Sequence, residues 1–265
     1  MKKLVIHRFT LVEILVSMAV FSILLVLMMQ FFSGARTLWT ANEKRSVVYS
    51  DASVALDLMS TLLQSTYCTL DNAGDNQTPF EIVKSSGSDK SDKIYFVSNS
   101  RMDLSGGSIR YLSFQRTKQE RESNEPDLGD NILVLKVFND SDKDFPGYFY
   151  EFNVNPGGDN SIETVRDKLK TKLTVGSLPK SSTLSNVKIL LRNVTGLEFT
   201  PIKVDGQTAG DLTKTPFAIK IKLTLMESEA RLQEWAKITD STSKSDFQKE
   251  HEYTFERTVW LGKRD

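Results

Sequence analysis

One acidic residue lies inside the longest apolar stretch of the chain. Residues 9–32 are mainly apolar over about 24 positions, and Glu13 lies near the amino end of this stretch. A carboxylate within hydrocarbon is costly and usually has a partner. We therefore expect Glu13 to pair with a cation. The alternatives are that its side chain reaches the nearby membrane interface or that it is protonated.

The rest of the sequence contains few residue patterns that are typical of catalysis or metal binding. His7 and His251 are the only histidines, and the sequence has no nucleophile elbow, no His-Glu-x-x-His motif and no phosphate-binding glycine loop. Residues 139–144 alternate carboxylates as a calcium loop does, but they lack its glycine and closing glutamate. Cys68 is the only cysteine, so no intrachain disulfide can form. We predict a protein that is not an enzyme and has no cofactor, with a solvated turn at 139–144.

The apolar stretch is long enough to cross a membrane. A helix rises about 1.5 Å per residue, so about 20 apolar residues cross a hydrocarbon layer of about 30 Å. Lys2, Lys3 and Arg8 precede the stretch, which predicts a cytoplasmic amino end. A secretory signal peptide cut near residues 33–35 is the alternative, but its apolar core is usually about 7–15 residues long. We therefore predict a membrane anchor.

The start of the apolar stretch also carries a motif. Phe9-Thr10-Leu11-Val12-Glu13 resembles the cleavage and methylation motif of type IV pilins and of the pseudopilins of type II secretion. In that family a prepilin peptidase removes a short basic leader before the Phe, and the new amino group is methylated. The resemblance implies a leader at 1–8, a cut between Arg8 and Phe9, and N-methylation of Phe9. It also implies that Glu13 pairs with the Phe9 ammonium of a neighbouring subunit during assembly.

Arg8 departs from the family pattern. The family has Gly, less often Ala, before the cut, and neither residue occurs in 1–8. Either the peptidase accepts Arg8, or the chain stays uncut as a single-pass anchor.

Beyond residue 32 the pattern becomes one-sided. Apolar residues recur at spacings of three, four or seven between charged ones, as in an amphipathic helix, and no Pro interrupts 9–64. We predict one helix of about 55 residues, transmembrane over 9–32 and amphipathic over 33–66, with Gly34 as the position where it could bend. The apolar stripe comprises Leu38, Ala41, Val48, Ala52, Ala55, Met59 and Leu62.

Residues 67–265 are expected to form a β-rich globular domain. Period-two alternation is clearest at 217–226 and 251–261, which suit an antiparallel pair. Residues 165–173 fit either a helix or a strand, and 229–238 could hold a helical turn. The predicted fold class is α+β, with the long amino-terminal helix packed on an antiparallel sheet. The other expected strands are 80–83, 93–98, 108–117, 132–138, 148–154, 187–192 and 197–204.

Four later segments extend the resemblance. Residues 52–60, 187–199, 216–225 and 253–261 are similar in order and spacing to the J-type minor pseudopilins of type II secretion. This similarity implies a pilin-like domain in a non-enzymatic subunit that joins a tip or initiation complex through its helix. The implied location is the inner membrane, with the carboxyl-terminal domain in the periplasm. The implied partners are other minor and major pseudopilins, the prepilin peptidase and methylase, and inner-membrane lipid.

Two other interpretations remain open, namely a minor pilin of a type IV pilus and an uncut membrane-anchored binding or adhesion domain.

Composition argues against a nucleic-acid partner. The chain has 34 Lys and Arg against 34 Asp and Glu. Removal of Lys2, Lys3 and Arg8 with the leader would leave 31 against 34, a formal charge of −3. Nucleic-acid-binding domains usually have the opposite sign.

Overall fold

The computed structural model describes residues 10–66, 80–85, 90–98, 110–120, 127–139, 162–179, 186–212 and 215–261. The chain divides into two compact units, Met1–Val47 and Val48–Asp265, which we call the amino-terminal and carboxyl-terminal units. One helix, α1 (Leu11–Gln64), has 54 residues. This length confirms the predicted single helix, which continues through Gly34.

The amino-terminal unit consists of the first part of α1 in the described residues. Every residue from 11 to 40 is exposed, and the large apolar side chains between 11 and 32 range from 44% exposed at Leu25 to 79% at Leu11. Soluble monomeric proteins rarely expose an apolar surface of this size. This helix is long and apolar enough to cross a membrane.

The carboxyl-terminal unit contains two antiparallel sheets, which agrees with the predicted α+β class. The first has the strand order β1-β2-β3-β4-β5, so each strand pairs with its neighbour in sequence. Its strands confirm five of the predicted segments. They are β1 (Phe80–Val83), β2 (Lys93–Ser98), β3 (Arg110–Lys118), β4 (Asp130–Asn139) and β5 (Val187–Arg192).

The second sheet follows directly from the first. It has the order β6-β7-β8, formed by β6 (Val194–Ile202), β7 (Ala218–Met226) and β8 (Glu252–Trp260). Only Asn193 separates β5 from β6, and its φ of 60° lies in the left-handed region, which Asn tolerates better than most residues. The chain therefore leaves one sheet and enters the other within a single residue. The predicted antiparallel pair at the end of the chain is confirmed.

A bulge accompanies this passage between the sheets. The pairing of β6 with β7 shifts between Val194 and Gly196. A Cβ atom on Gly196 would lie 3.1 Å from the Thr224 side chain, so glycine allows the close approach of the two strands. β6 consequently begins three residues before the segment predicted from alternation.

The main core lies between the second part of α1 and the inner faces of both sheets. Met59 and Ala52 are fully buried, and the stripe predicted at three- and four-residue spacing is confirmed from Val48 onwards. The α1 residues of this cluster are Val48, Ala52, Ala55, Leu56, Met59, Leu62 and Leu63. Inner-face residues of the sheets complete it, among them Phe96, Phe114, Leu133, Phe199, Ile221, Leu223 and Val259.

Shorter helices pack on the outer face of the five-stranded sheet and beside the end of β7. The segment left open as helix or strand is a helix, α2 (Ile162–Leu173), whose Leu169 and Leu173 pack on the five-stranded sheet beside Tyr95 and Tyr111. The expected helical turn is α3 (Glu229–Lys237), and an unpredicted helix, α4 (Ser241–His251), follows it. Leu232 of α3 packs on Met226 of β7. The predicted strand at 148–154 lies outside the described residues.

A buried carboxylate ties the two sheets together. The Asp92 side chain is 6% exposed and accepts hydrogen bonds from Lys84 Nζ (2.7 Å), Ser85 N (3.0 Å) and Phe199 N (2.8 Å). Asp92 N also donates to Leu197 O, and Leu197 N donates to Lys90 O. Segment 90–92 therefore runs along the outer edge of β6 and pairs with it.

Candidate assembly site at the start of the first helix

The residues of the motif lie where α1 begins. Thr10 immediately precedes the helix, and Glu13 is the acidic residue of its first turn. Glu13 N donates to Thr10 O (3.1 Å) and to Thr10 Oγ1 (3.3 Å). Thr10 thus acts as an amino-terminal cap, and the helix dipole favours a carboxylate at the position of Glu13. Arg8 and Phe9, the residues of the predicted cut, lie outside the described residues.

The hydroxyl groups of this apolar segment are satisfied within the helix. Ser17 Oγ donates to Glu13 O (2.8 Å), and Ser22 Oγ donates to Met18 O (2.8 Å). Bonds of this kind let a hydroxyl enter hydrocarbon without an unpaired donor. The Glu13 carboxylate accepts hydrogen bonds, so its partner must be a donor or a cation.

No cation on α1 can reach Glu13. The first basic residue after it in the helix is Arg36, 23 positions further on, which is about 35 Å along a helix. No hydrogen bond or ion pair joins the Glu13 carboxylate to another residue of the described part of the chain. Its partner must therefore come from the amino-terminal end of a chain, from lipid or solvent, or from a second molecule.

A second candidate site is not found among the described residues. Among the residues that the structure describes, no group of three or more His, Cys, Asp or Glu side chains could hold a metal ion. Cys68 lies outside the described residues, as does the calcium-like segment beyond Asn139.

One polar pair was missed by the sequence analysis. His251 begins the alternating segment 251–261, but it is the last residue of α4 and its side chain is only 14% exposed. Its Nδ1 lies 3.2 Å from Glu227 Oε2, and its ring packs on Phe247 with centroids 4.4 Å apart. The pair joins the two ends of the α3–α4 segment. No sequence signal indicated it, because α4 itself was not predicted.

These observations define an α+β chain whose amino-terminal helix is long and apolar enough to cross a membrane. Near its start this helix carries a carboxylate that has no partner among the described residues. Comparison with known protein families found no family model that matches the chain, and comparison with curated proteins found no match.

Proposed function

We propose that the chain is a minor pseudopilin, a non-enzymatic subunit of a type II secretion pseudopilus that joins a tip or initiation complex through α1. The observation that carries the proposal is the Glu13 carboxylate, which lies in the first turn of an exposed apolar helix and has no partner in the described residues. The motif at 9–13 supplies the complementary group, since cleavage before Phe9 would create an amino-terminal cation.

The proposed assembly step is electrostatic. The Phe9 ammonium of one subunit and the Glu13 carboxylate of the next would meet within the bilayer, where screening is weak. The attraction of two opposite charges at about 4 Å rises from about 1 kcal/mol in water to several kcal/mol in a less polar medium. A subunit in the complex would therefore be favoured over a subunit alone in lipid.

In this proposal the carboxyl-terminal unit lies in the periplasm and the basic leader in the cytoplasm. The partners are other minor and major pseudopilins, together with the prepilin peptidase and methylase that process Phe9. Similarity of four later segments to J-type minor pseudopilins supports this assignment over a major subunit.

Substitution of Glu13 tests the proposed pairing. Glu13→Ala should leave the chain in the membrane fraction but lower its co-purification with partner subunits at least about tenfold, since tenfold corresponds to only about 1.4 kcal/mol. Glu43→Ala is the matched control, because it removes an exposed carboxylate from the same helix. Equal recovery of partners with both variants would contradict the proposal.

Processing is tested by intact-mass measurement of the membrane form. A mass that begins at methylated Phe9 supports the filament role, and Arg8→Gly should increase the processed fraction if Arg8 slows the peptidase. A mature chain that begins at Met1 would instead favour the second candidate, an uncut membrane-anchored binding or adhesion domain. The observation that favours this second candidate is Arg8, which occupies the position where the family has Gly or Ala before the cut. A minor pilin of a type IV pilus would show the same mass and would differ in its partners.

A further inference from the structure

Among the residues that the structure describes, no segment pairs with the outer edge of β8. Leu261 N donates to Phe217 O (3.0 Å) and Glu227 N donates to His251 O (2.9 Å) at the two ends of the β7–β8 ladder. Because antiparallel bonding alternates, odd-numbered residues of β8 face β7 and even-numbered residues face away from it. In the part of the chain that the structure describes, β8 is the last strand of its sheet.

The other sheet edges are shortened or occupied. Segment 90–92 pairs with the outer edge of β6, and β1 has four residues with Ile82 N already donating to Leu212 O. β5 has six residues and pairs with β4 across a register shift. β8, in contrast, pairs with β7 over nine consecutive residues without a bulge. It contains no Pro. Proteins usually protect a regular edge of this length, because it can pair with another chain.

β8 carries one inward-facing charge that could protect its edge, but this charge is paired with a carboxylate. Arg257 is the charged residue on the inner face of the strand, and an inward charge would oppose an added strand. Its guanidinium donates to Asp57 on α1, so the charge is already paired. The edge therefore remains suitable for strand addition.

Charges on the outer face of the sheet alternate from strand to strand. Glu198 of β6 lies 3.4 Å from Lys222 of β7, and Lys220 of β7 lies 2.6 Å from Glu256 of β8. The order across the sheet is acidic, basic, acidic. A further strand would continue this order with Lys or Arg opposite Glu256, since opposite charges on neighbouring strands stabilise pairing.

The inner face of β8 indicates which side chains would suit the inner face of an added strand. Tyr253 and Phe255 are partly buried and contact Tyr49 of α1, with ring centroids 6.0 and 5.0 Å apart. An apolar side chain on an added strand would extend this aromatic group. The matching segment thus alternates basic residues on one face with apolar residues on the other.

We propose that β8 binds an extended segment of another protein by strand addition, and that this segment carries Lys or Arg on the outer face and apolar residues on the inner face. The inference concerns the carboxyl-terminal unit only, so it does not depend on the filament role. Main-chain bonds to the even-numbered residues of β8 would supply affinity, and the two faces would supply selectivity.

The test uses the full chain in detergent micelles with an acetylated nine-residue peptide of alternating Lys and Val. We expect saturable binding by fluorescence anisotropy and at least about tenfold slower hydrogen exchange at the amides of Thr254, Glu256 and Thr258. The amides of Phe255 and Arg257 should be protected with or without peptide, because they bond to β7. A peptide N-methylated at alternate amides should not bind when the methyl groups fall on the pairing edge.

Two variants make the test specific. Thr258→Pro removes only an outward-facing N–H and should abolish binding, whereas Thr258→Val keeps that N–H and should retain it. If Thr258→Pro disturbs the β7 ladder, Glu256→Lys is the second variant, and it should shift preference from the Lys/Val peptide to a Glu/Val peptide. Failure of the Lys/Val peptide to bind, or slow exchange at the even-numbered amides without peptide, would overturn the proposal. So would protection of these amides that is lost when a dimer dissociates, since the occupant would then be a second copy.

Discussion

Asp92 shows how one side chain can determine the relation of two sheets. Its carboxylate accepts from the backbone of β6 and from Lys84, which follows β1, while its own N–H pairs with Leu197. This role could not be predicted from the sequence, because Asp92 ends a polar run of Ser, Gly, Asp and Lys residues. Glu13, in contrast, could be identified from the sequence alone, since a carboxylate stands out in an apolar stretch and does not within a run of Ser, Asp and Lys.

We expect Asp92→Ala to destabilise the carboxyl-terminal unit substantially. The buried Phe199 N–H would lose its acceptor, and a buried group left unpaired costs about 1–3 kcal/mol. Urea unfolding should show this loss in the free energy of unfolding. Asp57→Ala is the control, because its ion pair with Arg257 is largely exposed, and such pairs contribute about 0–1 kcal/mol. Equal losses in the two variants would contradict the role assigned to Asp92.

Among the helices and strands, hydrophobic periodicity was the reliable signal. Strict alternation in β7 and the apolar stripe of α1 were both predicted, because each element buries one face against the core. α4 was missed because Phe247 is its only large apolar residue, so it has no stripe to detect. The division of the strands into two sheets was also missed, because it depends on the backbone conformation of Asn193 and not on hydrophobic pattern.

The amino-terminal cap of α4 predicts a local effect of pH. The Asp240 carboxylate accepts from Ser243 N (2.7 Å), and this bond holds the pKa of Asp240 below its usual value. A lowered pKa means that the cap stabilises the helix above the usual value of about 3.9 and loses this effect as the pH falls through the lowered pKa. We expect the amide signals of α4 to show fraying at the acidic end of an NMR titration.

The variant Asp240→Asn removes the charge of the capping side chain but keeps a hydrogen-bond acceptor. The Asn side chain can still accept from Ser243 N, so the helix should remain capped and the acid-induced fraying should largely disappear. Asp246→Asn, which changes an exposed carboxylate within the same helix, should leave the fraying unchanged. Identical titrations of wild type and Asp240→Asn would contradict this account.

The architecture of the two units was more predictable than the placement of the shorter helices. The fold class and the single long helix were predictable, because an apolar run and a series of alternating segments are both long-range patterns. The placement of α2 and α4 was not, because each has few apolar residues, and the sequence therefore does not indicate what each helix packs against.

A chain that lacks residues 1–34 should be soluble without detergent. The core cluster of the carboxyl-terminal unit begins at Val48, and no residue from 11 to 40 is buried. Its free energy of unfolding in urea should equal that of the full chain in detergent within about 0.5 kcal/mol, as for changes away from a core. Aggregation of the shortened chain, or a much lower stability, would show that the membrane segment contributes to the fold.

The composition of the core cluster also has a consequence for biosynthesis. Val48 of α1 and Leu261 after β8 belong to the same cluster, although nearly the whole unit separates them in sequence. Because translation proceeds from the amino end, the stripe of α1 emerges first and its last contacts emerge at the end. In a nascent chain the apolar stripe of α1 would therefore lack its last packing partners until the chain is released from the ribosome. A chain that stops at Glu250 should be degraded rapidly by added protease, and a resistant product of that length would refute this order of events.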